Sequence, residues 1–385
     1  MGEGVLMNWL DGLLLALLIL CILLVIWPFT LYPMILRALP PQALSPDPSG
    51  PPFSASLLFC AYNEAASLPA KIANLRALKA LHPDLQILAF DDGSSDGTGD
   101  MLAGASDVLT LVRGPGRSGK AHGMKRLAAL ATSDILIFSD ANVLLDEDAI
   151  AHLLPYYADA GVGGVLGSLH YGGTESSASA SVGGLYWRLE EQLKNLESRT
   201  GNVMGADGSI FSIRRTLYPE FPDSVLDDLT VSMAVVFAGR RLIKAQDVIA
   251  REMMVAERSD EYRRKVRIAA RAWHTHSYLR PQLRRMSGLD RFKYMSRKII
   301  RWFGALWMGI GALAALALAW RIAPMAAMAL LVGGLAVLVL GLKMRKGPIA
   351  ALMDLVLAYV ATLRGILLSM GGKTFTTWAP AKSRE

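Results

Sequence analysis

From Gly12 to Leu36 the chain carries no charged side chain, and an apolar run of that length can cross a bilayer as a helix. A second apolar block, Phe303 to Trp320, Ala326 to Leu342 and Ala350 to Met370, lies towards the other end. Between them, Ser54 to Gln246 has an ordinary globular composition. The 52% hydrophobic content of the 385 residues is therefore concentrated at two ends, which excludes a uniformly soluble protein. The opening MGEGVLMNWLDG lacks the basic stretch of a signal peptide, so an uncleaved anchor is expected. The expected order is an anchor (1–39), a Pro- and Ser-rich extended linker (40–52) and a catalytic domain (53–256). Basic interfacial helices (257–301), further membrane helices (302–371) and a short tail (372–385) follow.

The net charge of +7 is unevenly spread. Arg258 to Arg301 holds fourteen Lys/Arg against three Asp/Glu, directly before the second apolar block. Basic residues beside spans mark the cytoplasmic side and anionic lipid, so membrane lipids are the expected partner and nucleic acid is not. Cys21 and Cys60 fall in the anchor and in an expected buried strand, and read as reduced, unpaired thiols.

The central region alternates strands with helices. Strands are expected over Ala55–Ala61, Leu85–Phe90, Asp107–Val112 and Asp134–Ser139, and helices over Ser67–Leu78 (with Ser67 as cap) and Lys120–Ala131. This rhythm predicts an α/β domain with a mostly parallel sheet covered on both faces. Later come strands at Gly163–Tyr171, Ser209–Ile213 and Leu242–Asp247. Helices are expected at Val182–Ser198, Asp227–Ala238 and Asp260–Tyr278. The strand at Asp134 ends in Asp140-Ala-Asn142, and a carboxylate at that lip lies where open α/β sheets bind ligands. Asp140 can hold a divalent cation against a diphosphate, and Asn142 can add a neutral oxygen. Acidic sites recur at Asp91-Asp92 and Asp227-Asp228. Each alone is also explained by the preference of Asp for strand ends and helix starts.

The ordered set Phe59-Cys-Ala-Tyr-Asn-Glu64, Asp91-Asp-Gly-Ser-Ser-Asp-Gly-Thr98, Gly119-Lys120, Asp140-Ala-Asn142 and Asp227-Asp228 resembles the signatures of family 2 glycosyltransferases. The flanking spans and the basic Arg267 to Trp273 segment resemble the membrane-embedded branch, which includes hyaluronan, cellulose and chitin synthases and ceramide glucosyltransferases. The resemblance implies a GT-A-like nucleotide-sugar domain. Tyr62, Glu64, Asp91 and Asp92 are implied at the nucleoside, Lys120 near the base or phosphates, and Asp140 on Mg2+ or Mn2+. The family usually has a second Asp where this chain has Asn142. Asp228 is implied as the general base of an inverting transfer, oriented by Asp227. Gly205, Asp207, Arg271, Trp273 and Trp378 are implied around the acceptor, Trp378 on a gating-like tail. Asp207 is equally well explained by a glycine-bracketed turn, and Arg263, Arg264 and Lys265 by lipid headgroups. The Arg267 segment lacks the family's Gln and has one extra residue before Trp273.

Lys343, Arg345 and Lys346 mark a cytoplasmic loop, which fits two spans after the catalytic domain. Ala350 to Met370 then reads as interfacial or re-entrant, because Asp354 and Arg364 are costly in lipid. The expected activity is an inner-membrane synthase extending a β-linked exopolysaccharide from a UDP-sugar, as a homo-oligomer or with an export partner. One alternative is a single transfer to a polyprenyl phosphate or ceramide; another is a non-catalytic scaffold or nucleotide-sugar sensor.

Overall fold

The computed structural model describes residues 8–47, 52–172, 178–253, 258–344, 347–373 and 375. The chain begins with α1 (Trp9–Ile26) and α2 (Leu31–Ala38). The catalytic domain opens with β1 (Ala55–Ala61), α3 (Leu68–Leu81), β2 (Gln86–Asp91), α4 (Thr98–Ala103), β3 (Thr110–Arg113), α5 (Lys120–Leu130) and β4 (Ile135–Asp140). It continues through β5 (Leu144–Leu145), α6 (Ala149–Leu153), β6 (Val162–Gly172), α7 (Ala178–Arg199), β7 (Ile210–Arg214), α8 (Asp227–Phe237) and β8 (Arg241–Met253). Then follow α9 (Arg258–Leu283), α10 (Gly288–Tyr294), a π-helical turn at Met295–Ile299, α11 (Ile300–Trp302), α12 (Gly304–Ile322), α13 (Pro324–Lys343) and α14 (Pro348–Met370).

The described strands form one sheet in the order β3-β2-β1-β4-β7-β6-β8-β5. Strands β1 to β4 are parallel, while β7 runs antiparallel to both β4 and β6. All seven residues of β1 are buried, as its continuous apolar run requires of a central strand covered on both faces. From β1 the chain winds outward to β2 and β3, then returns across β1 to place β4 on its other side. The C-terminal ends of β1 and β4 therefore flank a topological switch point, the crevice where such sheets bind ligands. Register sets Cys60 beside Asp140 and Ala61 beside Asp91, so Tyr62, Asp92 and Asp140 emerge on one rim. Helix α5 comes down closely on this rim: a Cβ at Gly123 would stand 2.5 Å from the Phe90 ring and 2.6 Å from Cys60 Sγ. Both cysteines are buried and unpaired.

Three expectations change in detail. Ser67 sits at the start of α3, but its hydroxyl donates to the Glu64 carbonyl and carboxylate and caps nothing in the helix. The apolar run after Gly12 is not one helix: Pro28 and Thr30 break it, and α2 is a separate amphipathic helix. Its Tyr32 and Leu36 are fully buried against Leu193 of α7 and Phe292. The described stretch 40–47 of the linker is pinned, with Gln42 bonded to Arg199, Ser45 to Asp159 and Asp47 to Ala158.

Among the described residues, four helices are long and apolar enough to cross a membrane: Trp9–Phe29, Gly304–Ile322, Pro324–Lys343 and Pro348–Met370. Helices α12 and α13 form a hairpin, and α1 packs on α12, where Gly311 lets Cys21 approach. Helix α14 follows a different course. Met353 meets Gly341 near the C-terminal end of α13, and the Tyr359 ring covers Gly304 at the N-terminal end of α12. Gly365 then lies against the Val266 carbonyl and Ala269 of α9, where any side chain would collide. Those two ends of the hairpin lie on the same side of it, so α14 runs past the hairpin's base and onto the catalytic domain.

Candidate active site

Two loops at the β1 and β2 ends interlock through backbone and hydroxyl groups. Asn63 adopts a left-handed φ of 50°, and its amide donates to Ser94 Oγ at 3.1 Å while its Oδ1 accepts from Ser95 N at 2.9 Å. The Glu64 amide donates to Thr98 Oγ1 and the Ala65 amide to Asp96. Asp91 accepts from the Ser94 amide, closing the turn locally. Asp92 is fully buried, and its carboxylate accepts from the amides of Ser118 and Gly119 at 2.7 and 3.0 Å and from Arg117 Nη1 at 2.8 Å. The Arg117 guanidinium lies over the Tyr62 ring, 3.1 Å from its centroid. The result is a preformed wall in which the Asp92 carboxylate is buried behind the 117–119 loop and the Arg117 guanidinium covers the Tyr62 ring.

The acidic groups converge next to it. Lys120 Nζ donates to Asp140 Oδ1 at 2.6 Å and lies 3.9 Å from Asp227. Gly208 completes the enclosure: a Cβ there would stand 2.8 Å from Lys120 Nζ and 3.6 Å from carboxylate oxygens of both Asp140 and Asp228. Burial disfavours the charged form of Lys120, but the Asp140, Asp227 and Asp228 carboxylates outweigh it and raise its pKa. Asp228 is pushed up to about 6, first by burial and then by the Asp227 charge, against the pull of Lys120 and the Leu229 amide. A carboxyl poised there is suited to taking a proton near neutral pH. Asp227 and Asp228 open α8, where the positive end of the helix dipole favours them, but the backbone cap itself is Leu226.

The far wall is the segment 205–208. Gly205 has a φ of +94°, and a Cβ would strike Leu229 Cδ1 at 2.6 Å. Asp207 is a third exposed to the cleft, while its other side is held by Ser209 and by the buried ammonium of Lys194. Burial alone would raise its pKa, yet Lys194 holds it down at about 2. From there a chain of buried charges continues. Lys194 pairs with Glu191 and Glu191 with Lys244, both at 2.7 Å. Glu190 meets Arg297 and Arg301, and Glu197 meets Arg297 and the Tyr32 hydroxyl of α2, each of the last two contacts at 2.6 Å. Arg271 is buried near Asp228, donates to the Val225 carbonyl at 3.1 Å, and keeps its Nε without a partner among the described residues.

Residues 56–221 match the family described as glycosyl transferase family 2. These residues form a family 2 glycosyltransferase domain, and the protein is a glycosyltransferase. No curated protein sequence matches it. Among solved structures, it is similar to the mannosyltransferase PcManGT from Pyrobaculum calidifontis, described in complex with GDP-Man and Mn2+. The two share 21% identity over 94% of this chain and 99% of that one, with a TM-score of 0.74. Mannosyl-3-phosphoglycerate synthase from Rubrobacter xylanophilus (18% identity; 62% and 76% of the chains; TM-score 0.39) is a more distant likeness. So is GalNAc-T7 with UDP, GalNAc and Mn2+ (14%; 54% and 45%; TM-score 0.40).

The glycosyltransferase site offers a metal one open carboxylate, not a cage. Among the described residues no three acidic, His or Cys groups gather around a point. Asp140 is partly exposed at the cleft and already holds a cation, the Lys120 ammonium. Asn142 donates its amide nitrogen to Glu252 at 2.8 Å, which leaves its Oδ1 as the atom it could give an ion. Such a donor set fits a divalent ion that takes most of its ligands from substrate phosphates and water.

The structure therefore gathers Tyr62, Asp92, Lys120, Asp140, Asp227, Asp228, Gly205 and Asp207 around one cleft. Glu64 sits behind it, bonded to Ser67. Trp273 packs edge-on against Trp302 and Phe303, with His276 beside it. Trp378 lies outside the described residues. Sequence reasoning missed Arg117, whose signal was its place in the Gly-rich run before Lys120, and Lys194, which looked like one more polar residue on an amphipathic helix.

Proposed function

We propose that this glycosyltransferase moves one sugar from a nucleoside-diphosphate sugar to a membrane lipid acceptor, with inversion at the anomeric carbon. The observation that carries it is the convergence of Asp140 and Lys120, suited to a diphosphate, with Asp228, a base of pKa about 6, across Gly208. Tyr62 and Asp92 would receive the nucleoside. Asp140, with Asn142 at its border, would hold Mg2+ or Mn2+, which when bound offsets charge on the leaving diphosphate. The Mn2+ and GDP-Man bound in the PcManGT complex support a divalent ion and leave GDP-sugars beside UDP-sugars as donors. Arg271, buried and cationic, would face the phosphates. Asp228 takes the acceptor hydroxyl proton as that oxygen attacks, and Asp227 holds it in place.

The membrane portion supports a lipid acceptor over the exopolysaccharide expected from sequence. The cleft of about 610 Å³ between α1, α12 and α13 is lined by apolar side chains such as Leu14, Leu316, Met328 and Leu331, with Arg321 at its end. Arg321 pairs there with Asp11. The cleft lies at the end of the hairpin away from the catalytic site, so it suits the far part of a long acyl or prenyl chain and offers no path to a hydrated polymer. We read α14 as lying at the membrane surface, in keeping with its course from α13 to α9. The basic residues of 258–301 and Lys343 then put the catalytic domain on the cytoplasmic side of a bacterial inner membrane.

The deciding experiment uses purified protein in nanodiscs with Mn2+ and radiolabelled UDP- and GDP-sugars, with products partitioned by lipid extraction. One labelled species in the organic phase is expected. A long water-soluble polymer would establish the synthase instead.

A further inference from the structure

Helix α3 buries Leu68, Ile72, Leu75 and Leu78 against the sheet, and on the same buried side it places Lys71, which is fully inaccessible. Among the described residues no carboxylate pairs with this lysine. Its ammonium donates to the Val143 carbonyl at 2.6 Å and to Ser139 Oγ at 3.3 Å, and it stands 5.3 Å from the Phe59 ring centroid. Burying an ammonium without a counter-ion is costly, and a leucine or methionine would fill the same helical position. Burial accordingly pushes its pKa down to about 7, with the Asp140 charge opposing.

The two acceptors identify what the charge does. Ser139 and Val143 bracket the turn Asp140-Ala141-Asn142, whose ends are already joined by the Val143 amide on the Asp140 carbonyl at 3.2 Å. Lys71 grips both sides of that turn from beneath, on the face away from the cleft. We propose that Lys71 is a positioning residue for the metal–diphosphate carboxylate, holding the Asp140–Val143 turn so that Asp140 meets the ion and diphosphate in a fixed orientation. This rests on the reading of Asp140 as the ion's ligand. Groups behind a metal ligand typically change affinity ten- to a hundred-fold when removed.

The test uses the full chain in nanodiscs with Lys71→Met and Lys71→Gln. Binding of UDP and of GDP is titrated calorimetrically with and without Mn2+, alongside thermal unfolding. Lys71→Met is expected to unfold at an equal or higher temperature, because a buried charge is gone. Its Mn2+-dependent nucleotide affinity is nevertheless expected to fall by about tenfold or more. Lys71→Gln retains a donor for Val143 and should recover part of that loss, and it stands in if the methionine variant does not fold. Wild-type Mn2+-dependent affinity in both variants would overturn the proposal. Asp140→Asn separates the two levels: if it too binds like wild type, the reading of Asp140 falls as well. If only Asp140→Asn loses affinity, that reading stands and the Lys71 clamp alone is wrong.

Discussion

The two walls of the cleft are held by different forces. On the side proposed for the donor, carboxylates rest mainly on backbone amides and hydroxyls, with Arg117 added on Asp92: Asp92 on Ser118 and Gly119, Asp91 on Ser94, and the 62–65 loop on Ser94, Asp96 and Thr98. On the acceptor side, Asp207 rests on Lys194, within a set of buried charges that reaches Arg297, Arg301 and Tyr32. A carboxylate shared among several amides tolerates loss of one partner, whereas a single ion pair cut inside the protein leaves an uncompensated charge. The wall proposed for the donor is thus locally self-sufficient, and the wall proposed for the acceptor is as firm as its connection to α2 and the helices that precede α12.

That contrast can be broken or sharpened by substitution. The largest effect expected is from Asp228→Asn, which removes the base: turnover should fall by about 10²–10⁴-fold while nucleotide affinity measured by calorimetry stays within a few fold. Retained turnover would assign the base role to another group. Next, Lys194→Met should destabilise the protein by about 3–5 kcal/mol in thermal or denaturant unfolding. Ser94→Ala on the donor wall should lose only about 0.5–1.5 kcal/mol. Equal losses would erase the distinction between the walls. A third effect is in pH. Asp228 must be ionised to act and its pKa is raised to about 6, so kcat/KM should climb tenfold per unit below that point and level off above it. A profile flat through pH 6 would remove Asp228 from the base role. A last effect, read in substrate preference, is from Gly205→Ala, where the left-handed backbone costs about 1–2 kcal/mol and the Leu229 clash adds to it. It should weaken acceptor use more than nucleotide binding.

The same contrast explains what could be read beforehand. The donor wall was legible because its partners are close in the chain or lie at strand ends, where alternating strands and helices predict them. Asp92 and Asp140 follow strand ends as expected, and the parallel pairing of β1 to β4 follows from the βαβ rhythm. The acceptor wall joins residues far apart in sequence: Tyr32 and Glu197 are 165 positions apart, and Glu197 and Arg297 100. No local pattern marks Lys194 as the partner of Asp207. Lys71 was hidden for another reason, since a lysine on an amphipathic helix ordinarily faces water. Likewise the uncharged run after Gly12 masked the break at Pro28 that frees α2 to dock on α7.

The course of α14 has a consequence for how the molecule is made. The Val266, Ala269 and Ala270 stretch of α9 is covered by Gly365, which leaves the ribosome about a hundred residues later, after α12 and α13. Domains fold as they are synthesised, N-terminal part first, so the catalytic domain can pair its strands early but cannot close this surface. It must wait, with a bare apolar stripe, for α14 to be made. Synthesis therefore couples closure of this surface to completion of the apolar helices, and a chain that stops short of α14 leaves it open to chaperones or proteases.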